Sequence, residues 1–219
     1  MPPRIGSVEL ASHYRTGDRT VDVGGDWFDA VPVDDGLVLV MGDVEGHDSR
    51  AAALMRELRA VTRVLVCEEM NPAAVLARAS DWLERIDCDL LATALVVYID
   101  LDTRVATAAS AGHLAPALLR PTAAGTLLSP MELETGPPLG IGQEWDERST
   151  LLPSDAVLFL YTDGLVETRT DDIDERVRRL GELLEGLPVD ARTVLDNALE
   201  IHPGRDQDDD VAVLVAHVP

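Results

Sequence analysis

Four places in this 219-residue chain set aspartates at the rim of an apolar run. Asp26 follows Val23-Gly24-Gly25 in a strand-like stretch, Asp43 comes directly after residues 37–42, and Asp163 directly after 157–162. Asp208, Asp209 and Asp210 directly precede the run 211–215. A carboxylate at such a rim stands on backbone that a sheet holds rigidly. Burying one unpaired carboxylate costs several kcal/mol, and several together cost more through mutual repulsion. Divalent cations remove that cost. An all-oxygen donor set without cysteine favours Mg²⁺ or Mn²⁺ over zinc. Two such ions roughly 3.5–4 Å apart deprotonate a bridging water and clamp a phosphoryl group. That chemistry needs no side-chain nucleophile, and the chain shows no obvious one. For any single aspartate an ordinary turn is the better reading; for four strand-rim sites, two with adjacent glycines, the metal reading is favoured.

The elements that must position these groups follow from periodicity. Strands are predicted over 8–14 and 21–33, parted by the polar turn 15–19, and Asp34-Asp35-Gly36 signals a hairpin into the apolar strand 37–41. Gly24-Gly25 permits close backbone approach beside Asp26, and Gly46 allows an unusual turn after Asp43. Asp48 or Ser49 can cap the helix that follows, where Leu54, Leu58, Val61 and Leu65 recur at helical spacing over 49–66. Asn71-Pro72 opens a second helix running to about residue 86. Strands follow over 90–101, 105–110 and 114–119, then a Gly-, Pro- and Thr-rich loop region over 121–147 with short strand pieces. Residues 156–161 form a buried strand, helices lie near 174–187 and 190–201, and 211–218 is the closing strand. This order suits antiparallel sheets flanked by helices, an α+β class, better than the regular alternation of a doubly wound sheet. Without a repeat, linker or composition break, residues 1–219 read as one domain.

Composition bounds the partners. Hydrophobic residues make up 46% and charged residues 26%, which fits a soluble globular chain and excludes a disordered one. Forty acidic against 18 basic residues give a net charge of -22, so nucleic acid and membrane partners are excluded. Most of that acid reads as solvated loop charge, as at 144–147 and 171–172. Cys67 and Cys88 stand in or beside apolar segments and make no disulfide framework; reduced thiols in the cytoplasm are expected. The N-terminus has no signal-peptide core, and no run approaches the roughly 20 apolar residues of a membrane helix.

Six motifs stand in order: Val23-Gly24-Gly25-Asp26-Trp27-Phe28-Asp29, Gly42-Asp43-Val44-Glu45-Gly46-His47, Ala111-Gly112-His113, Pro138-Leu139-Gly140, Tyr161-Thr162-Asp163-Gly164-Leu165-Val166-Glu167 and Asp209-Asp210-Val211. Together, over residues 10–215, the chain resembles the SpoIIE/RsbU-like subgroup of the metal-dependent protein phosphatase (PPM, protein phosphatase 2C-like) family. The resemblance implies a sandwich of two antiparallel β-sheets flanked by pairs of α-helices. It implies two Mn²⁺ or Mg²⁺ ions and hydrolysis of phosphoserine or phosphothreonine on a protein by a metal-bridging water. Asp43 matches the aspartate that bridges both ions, the carbonyl of Val44 a backbone ligand of one, and Asp26 the acidic ligand of that same ion. Asp163 and Asp209 match ligands of the other, and Asp210 is their neighbour. Asp43 and Asp163 are the residues on which catalysis would depend most. Asp29 and the spare aspartates near 209 make a third ion conceivable. Two departures stand out: Asp48 follows His47 where the family commonly has glycine, and Arg4, Arg15 and Arg19 offer no match to the early phosphate-gripping arginine of eukaryotic relatives.

Relatives in this subgroup act in partner switching, so a phosphorylated STAS-domain anti-sigma-factor antagonist is the implied partner. A second copy of the chain or a sensor-domain protein are further candidates. No sensor precedes Met1, which leaves a stand-alone enzyme, an excised domain or one activated by a separate partner. His47 and His113 are expected to hydrogen-bond a loop backbone at least as readily as to catalyse. His13, His202 and His217 read as surface or strand residues, Trp27 and Phe28 as core, and Arg176, Arg178 and Arg179 as a solvated helix face. Haloacid-dehalogenase chemistry is rejected, because its aspartate nucleophile would fall at Tyr161. A regulated or inactive binding module of the same fold and a small-molecule phosphomonoesterase stay open as alternatives.

Overall fold

The computed structural model describes residues 1–17, 24–46, 48–69, 71–86, 88–122, 125–141, 144–166, 173–201 and 209–219. The sequence readings at Arg19, 21–23, His47, Glu167, 171–172, His202 and Asp208 lie outside the described residues. In chain order the strands and helices are β1 (Arg4–Ile5), β2 (Val8–Arg15), β3 (Trp27–Val33), β4 (Gly36–Val44), α1 (Ser49–Glu68) and α2 (Pro72–Arg85). There follow β5 (Ala92–Asp100), β6 (Val105–Ala111), β7 (Ala117–Thr122), β8 (Gly125–Pro130), β9 (Thr135–Gly136) and β10 (Arg148–Leu151). The remainder is β11 (Ala156–Tyr161), α3 (Ile173–Leu184), α4 (Ala191–Ala198) and β12 (Val211–Val218). They form two compact units, and the chain passes between them repeatedly. One comprises Arg19–Ala115 and Glu132–Leu152; the other comprises Met1–Asp18, Pro116–Met131 and Pro153–Pro219.

The first of these units is a sheet of order β10-β6-β5-β4-β3, antiparallel throughout, with short β9 running parallel beside β6. Its central hairpin forms where the sequence signals it: Val33 pairs with Gly36 across the two-residue turn Asp34-Asp35. α1 packs on β3, β4 and α2, and α2 packs on β5 and β6. The core between sheet and helices gathers Val38, Val40 and Val44 of β4 with Leu54, Met55 and Leu58 of α1 and Val75, Leu76 and Leu83 of α2. Each such aliphatic side chain contributes about 1.5–3 kcal/mol on burial.

Caps start the helices as the sequence predicts. Asp48 accepts hydrogen bonds from Arg50 N (2.8 Å) and Ala51 N (3.0 Å), and Asn71 accepts from Ala74 N (2.7 Å) ahead of Pro72. Glu147, expected as solvated loop charge, instead accepts from Asn71 Nδ2 (2.9 Å) and Ala73 N (3.0 Å). It serves as a remote second cap on α2, satisfying a first-turn donor that the helix itself cannot.

The second unit is a sheet of order β1-β2-β12-β11-β7-β8, antiparallel throughout. α4 packs on β2 and β12, and α3 packs on α4 and β8. The 121–147 loop region proves more ordered than expected: β7 runs to Thr122 and pairs with β8 from Thr122–Gly125 to Ala117–Pro130. Its prolines hid this hairpin, but β8 lies at the sheet edge, where a missing N–H costs least. The arginines of α3 also differ from a uniform solvated face. Arg176 is buried and donates to the Ile201 carbonyl, whereas Arg178 pairs with Glu175 and Glu182 along the exposed side. Both cysteines are free thiols, Cys67 exposed and Cys88 half-buried. Among the described residues no helix is long and apolar enough to cross a membrane.

At the end of β11, Tyr161 is buried against Phe159, with ring centroids 5.5 Å apart. Burial pushes its phenol up to about 12. The folded state therefore holds this proton more tightly than the unfolded chain. That contribution is fully present below pH ~10 and is lost as pH rises toward the folded value. Absorbance titration should show a phenol still protonated well above pH 10 that is lost in Tyr161→Phe, with that variant flattening the alkaline loss of stability. Titration of all three near pH 10 would contradict this.

Candidate active site

Asp26, Asp43 and Val44 come together at one end of the α1–α2 unit. The β3–β4 ladder starts at the Trp27–Gly42 pair, where the indole ring occupies the space a side chain on residue 42 would need. Just beyond that pair Val44 N donates to the Gly25 carbonyl at 3.2 Å. β4 runs two residues further than the apolar run suggests, so Asp43 is a strand residue opposite Thr93 of β5. Asp26 is 2% exposed, Asp43 is half-buried and Val44 is buried.

Gly25 is what lets these groups approach. A Cβ on residue 25 would be driven into the Val44 carbonyl oxygen and would stand 3.0 Å from Asp43 Oδ1 and 3.2 Å from the Gly46 carbonyl. Gly46 then turns the chain toward α1 with φ at +98°, a conformation that L side chains rarely adopt. The donor set here is two carboxylates and a backbone carbonyl. It suits a hard cation and offers nothing to a soft one.

Thr93 carries no signal of its own in the sequence; only the register brings it opposite Asp43. Its hydroxyl lies 2.8 Å from Nδ1 of His113. His113 is buried, and its backbone N–H and carbonyl are both bonded to the Ser110 hydroxyl. The ring thus meets the Thr93 side chain, while the backbone of His113 is held by Ser110.

Asp163, Asp209 and Asp210 come together at one end of the other unit. Asp163 opens a 3-10 turn directly after β11, and Val166 N donates back to its carbonyl at 2.8 Å. Thr162 stitches this turn to β12: its N–H donates to the Ala212 carbonyl (3.0 Å), and its hydroxyl accepts from Ala212 N (2.9 Å). Gly164 lies so close to the Asp210 carbonyl that a Cβ would collide with it. Asp209 is exposed and its Oδ1 accepts from Asp210 N (2.9 Å). Asp210 is buried and accepts from Gly17 N (3.0 Å), which ties the segment after β2 to the same end. Arg15 ends β2 opposite Val211, and Arg4 is paired with Glu9.

Asp29, a spare carboxylate in the sequence, is turned to α1, where Arg59 and Arg63 hold it. Trp27 is core, as expected, and Phe28 is half-buried. Among the described residues no three His, Cys, Asp or Glu side chains close into a metal-binding cluster. Each end supplies a carboxylate pair, completed at one of them by the carbonyl of Val44.

Adding a methyl group where Gly25 meets Val44 must part the two strand ends. Gly25→Ala is therefore expected to lower stability by about 1–3 kcal/mol in urea denaturation. An unchanged midpoint would mean that the two segments separate freely.

Comparison with solved structures agrees with this architecture. The RsbU and RsbW domains of Rv1364c from Mycobacterium tuberculosis match with TM-score 0.86 and 28% identity over 98% of this chain. The chain spans 61% of that structure's length. RsbX in complex with magnesium matches with TM-score 0.70 and 17% identity, covering 96% of this chain and 94% of the other. The PP2C phosphatase domain and regulatory fragment of SpoIIE from Bacillus subtilis match with TM-score 0.77 and 16% identity, over 96% and 63% of the respective chains. The latter two show the shared fold. The family model for stage II sporulation protein E (SpoIIE) matches residues 33–219, and the chain belongs to the SpoIIE family.

Proposed function

We propose that this chain is a metal-dependent phosphatase of phosphoserine and phosphothreonine on a protein, and that its two units work as one phosphatase domain. In this reading Asp26, Asp43 and the carbonyl of Val44 would hold one divalent ion, and Asp163 and Asp209 would hold another. The observation that carries it is the Gly25 approach. Next to the buried Asp26, the Asp43 carboxylate and the Val44 and Gly46 carbonyls crowd the place where a side chain on residue 25 would stand. A divalent cation suits such a gathering of oxygens. The magnesium complex of RsbX, a protein of the same fold, supports the choice of a hard divalent ion. Bound there, the ions would supply a water acidic enough to attack phosphorus at neutral pH and would offset the charge of the phosphoryl oxygens.

The protein residues have the separate task of holding position. Asp43 is fixed by its pairing with Thr93 of β5, and Asp163 by the Thr162–Ala212 stitch. Rigid placement of charge before the substrate arrives is what such a site contributes to catalysis. For the substrate we infer a phosphorylated STAS-domain anti-sigma-factor antagonist. The pairing of RsbU and RsbW domains in the mycobacterial structure supports this partner-switching setting.

Phosphate release from p-nitrophenyl phosphate and from a phosphoserine STAS protein, with Mn²⁺, Mg²⁺ or chelator, tests the reading. Turnover should need metal. Asp43→Asn and Asp163→Asn should each lower it by at least about 100-fold, the equivalent of several kcal/mol of lost transition-state stabilisation. Full activity in chelator, or in either variant, would overturn the proposal. Turnover of the aryl phosphate with none of the phosphoprotein would move the assignment to a small-molecule phosphomonoesterase.

A further inference from the structure

β3 carries a second buried carboxylate three residues beyond Asp26. The Asp29 side chain is 9% exposed, and three charge-assisted bonds reach it from α1. Arg59 donates from Nε to Oδ2 (3.0 Å) and from Nη2 to Oδ1 (3.1 Å); Arg63 donates from Nη1 to Oδ1 (3.0 Å). The arginines stand one helical turn apart on the same face, and each stays about half exposed (49% and 56%). The carboxylate is thus the buried member, held in a bidentate grip and a third bond from the solvent side. With both oxygens engaged by guanidinium groups, Asp29 is placed to join two elements and not to ligate a cation.

Both of those elements lead into the acidic site. β3 begins immediately after Asp26, and α1 begins after the Val44–Gly46 turn, capped by Asp48. Beyond the Trp27–Gly42 pair the Val44 N–Gly25 carbonyl bond joins the two segments, and α1 leads directly out of the turn that follows, so where α1 sits bears on how that turn lies against Gly25-Asp26. We propose that Asp29 is a positioning residue of this site: by gripping Arg59 and Arg63 it fixes α1 on β3, and so fixes the Val44–Gly46 turn against Gly25-Asp26. The inference rests on the metal reading above, and Asp29 itself would touch neither metal nor substrate.

Mn²⁺ binding to the full chain, followed by the EPR signal of the free ion well below the unfolding temperature, gives a readout independent of turnover. Asp29→Asn should weaken Mn²⁺ binding by about tenfold, the low end for removing a group that orients a metal's ligands. Arg63→Gln, which keeps both Arg59 bonds, should weaken it less. In p-nitrophenyl phosphate hydrolysis the Mn²⁺ concentration for half-maximal rate should rise by the same factor, while the rate at saturating Mn²⁺ stays within about twofold of wild type. If Asp29 served stability alone, its variant would melt earlier yet bind Mn²⁺ as wild type does, and the proposal would fall. Should Asp29→Asn not fold, Arg63→Gln decides by the same two readouts. A wild-type chain that binds no Mn²⁺ would remove the metal reading and this inference together. Wild-type binding with unchanged variants would remove only the role of Asp29.

Discussion

The constraint on which the rest of the structure depends is the cost of holding carboxylates where water is scarce. Asp26 is almost fully buried, and the residue before it, Gly25, lies against the Asp43 carboxylate and the Val44 carbonyl. In such a place Coulomb repulsion is poorly screened, and every atom added must lower it or keep out of the way. Several local choices follow. Residue 25 has no side chain, residue 42 yields its space to the Trp27 ring, and β4 continues through Asp43 so that its pairing with β5 holds the acid. At the end of the other unit the same logic recurs with different parts. Gly164 lies against the Asp210 backbone, and the Gly17 N–H meets the buried Asp210 carboxylate.

Much of this was legible in the sequence because it is local. The hairpin at Asp34-Asp35 and the apolar runs that became β11 and β12 each carry their signal within a few residues, and the structure places β11 and β12 at the expected bounds. The Asn71-Pro72 start of α2 is equally local, a side-chain cap followed by a residue with no N–H to satisfy. The rim aspartates were recognisable for the same reason, since an apolar strand and its terminal carboxylate are adjacent in the chain.

What the sequence hid is what the register creates. Thr93 stands 50 residues from Asp43 and becomes its cross-strand neighbour only when β4 and β5 pair. Glu147 lies 76 residues from Asn71 and caps α2 across that distance, so composition alone placed it among solvated charges. The 121–147 stretch misled in the opposite direction. Its prolines and glycines argue for loop; Pro130 is accommodated at the end of the edge strand β8, and Pro121 lies past the stretch of β7 that pairs with β11. Arg176 shows the limit of charge as a guide: three arginines within four residues look alike, yet one is buried on a carbonyl and another is spread along the surface.

Asp26 and Asp29 bring the two kinds of information together. They belong to one motif, three residues apart, and nothing in their composition separates them. The fold does so by giving each different surroundings. Asp29 meets two guanidinium groups carried by the chain itself, which more than balance its charge without any ligand. Asp26 follows Gly25, whose close approach to the Val44 carbonyl and Asp43 Oδ1 gathers the oxygens on which the proposed cation reading rests. A buried acid whose neighbours supply the positive charge serves architecture, and one gathered with other oxygens serves chemistry. In this chain Asp29 ties β3 to α1, the helix that follows the turn after Asp43, so on the proposed reading the two acids are coupled through α1.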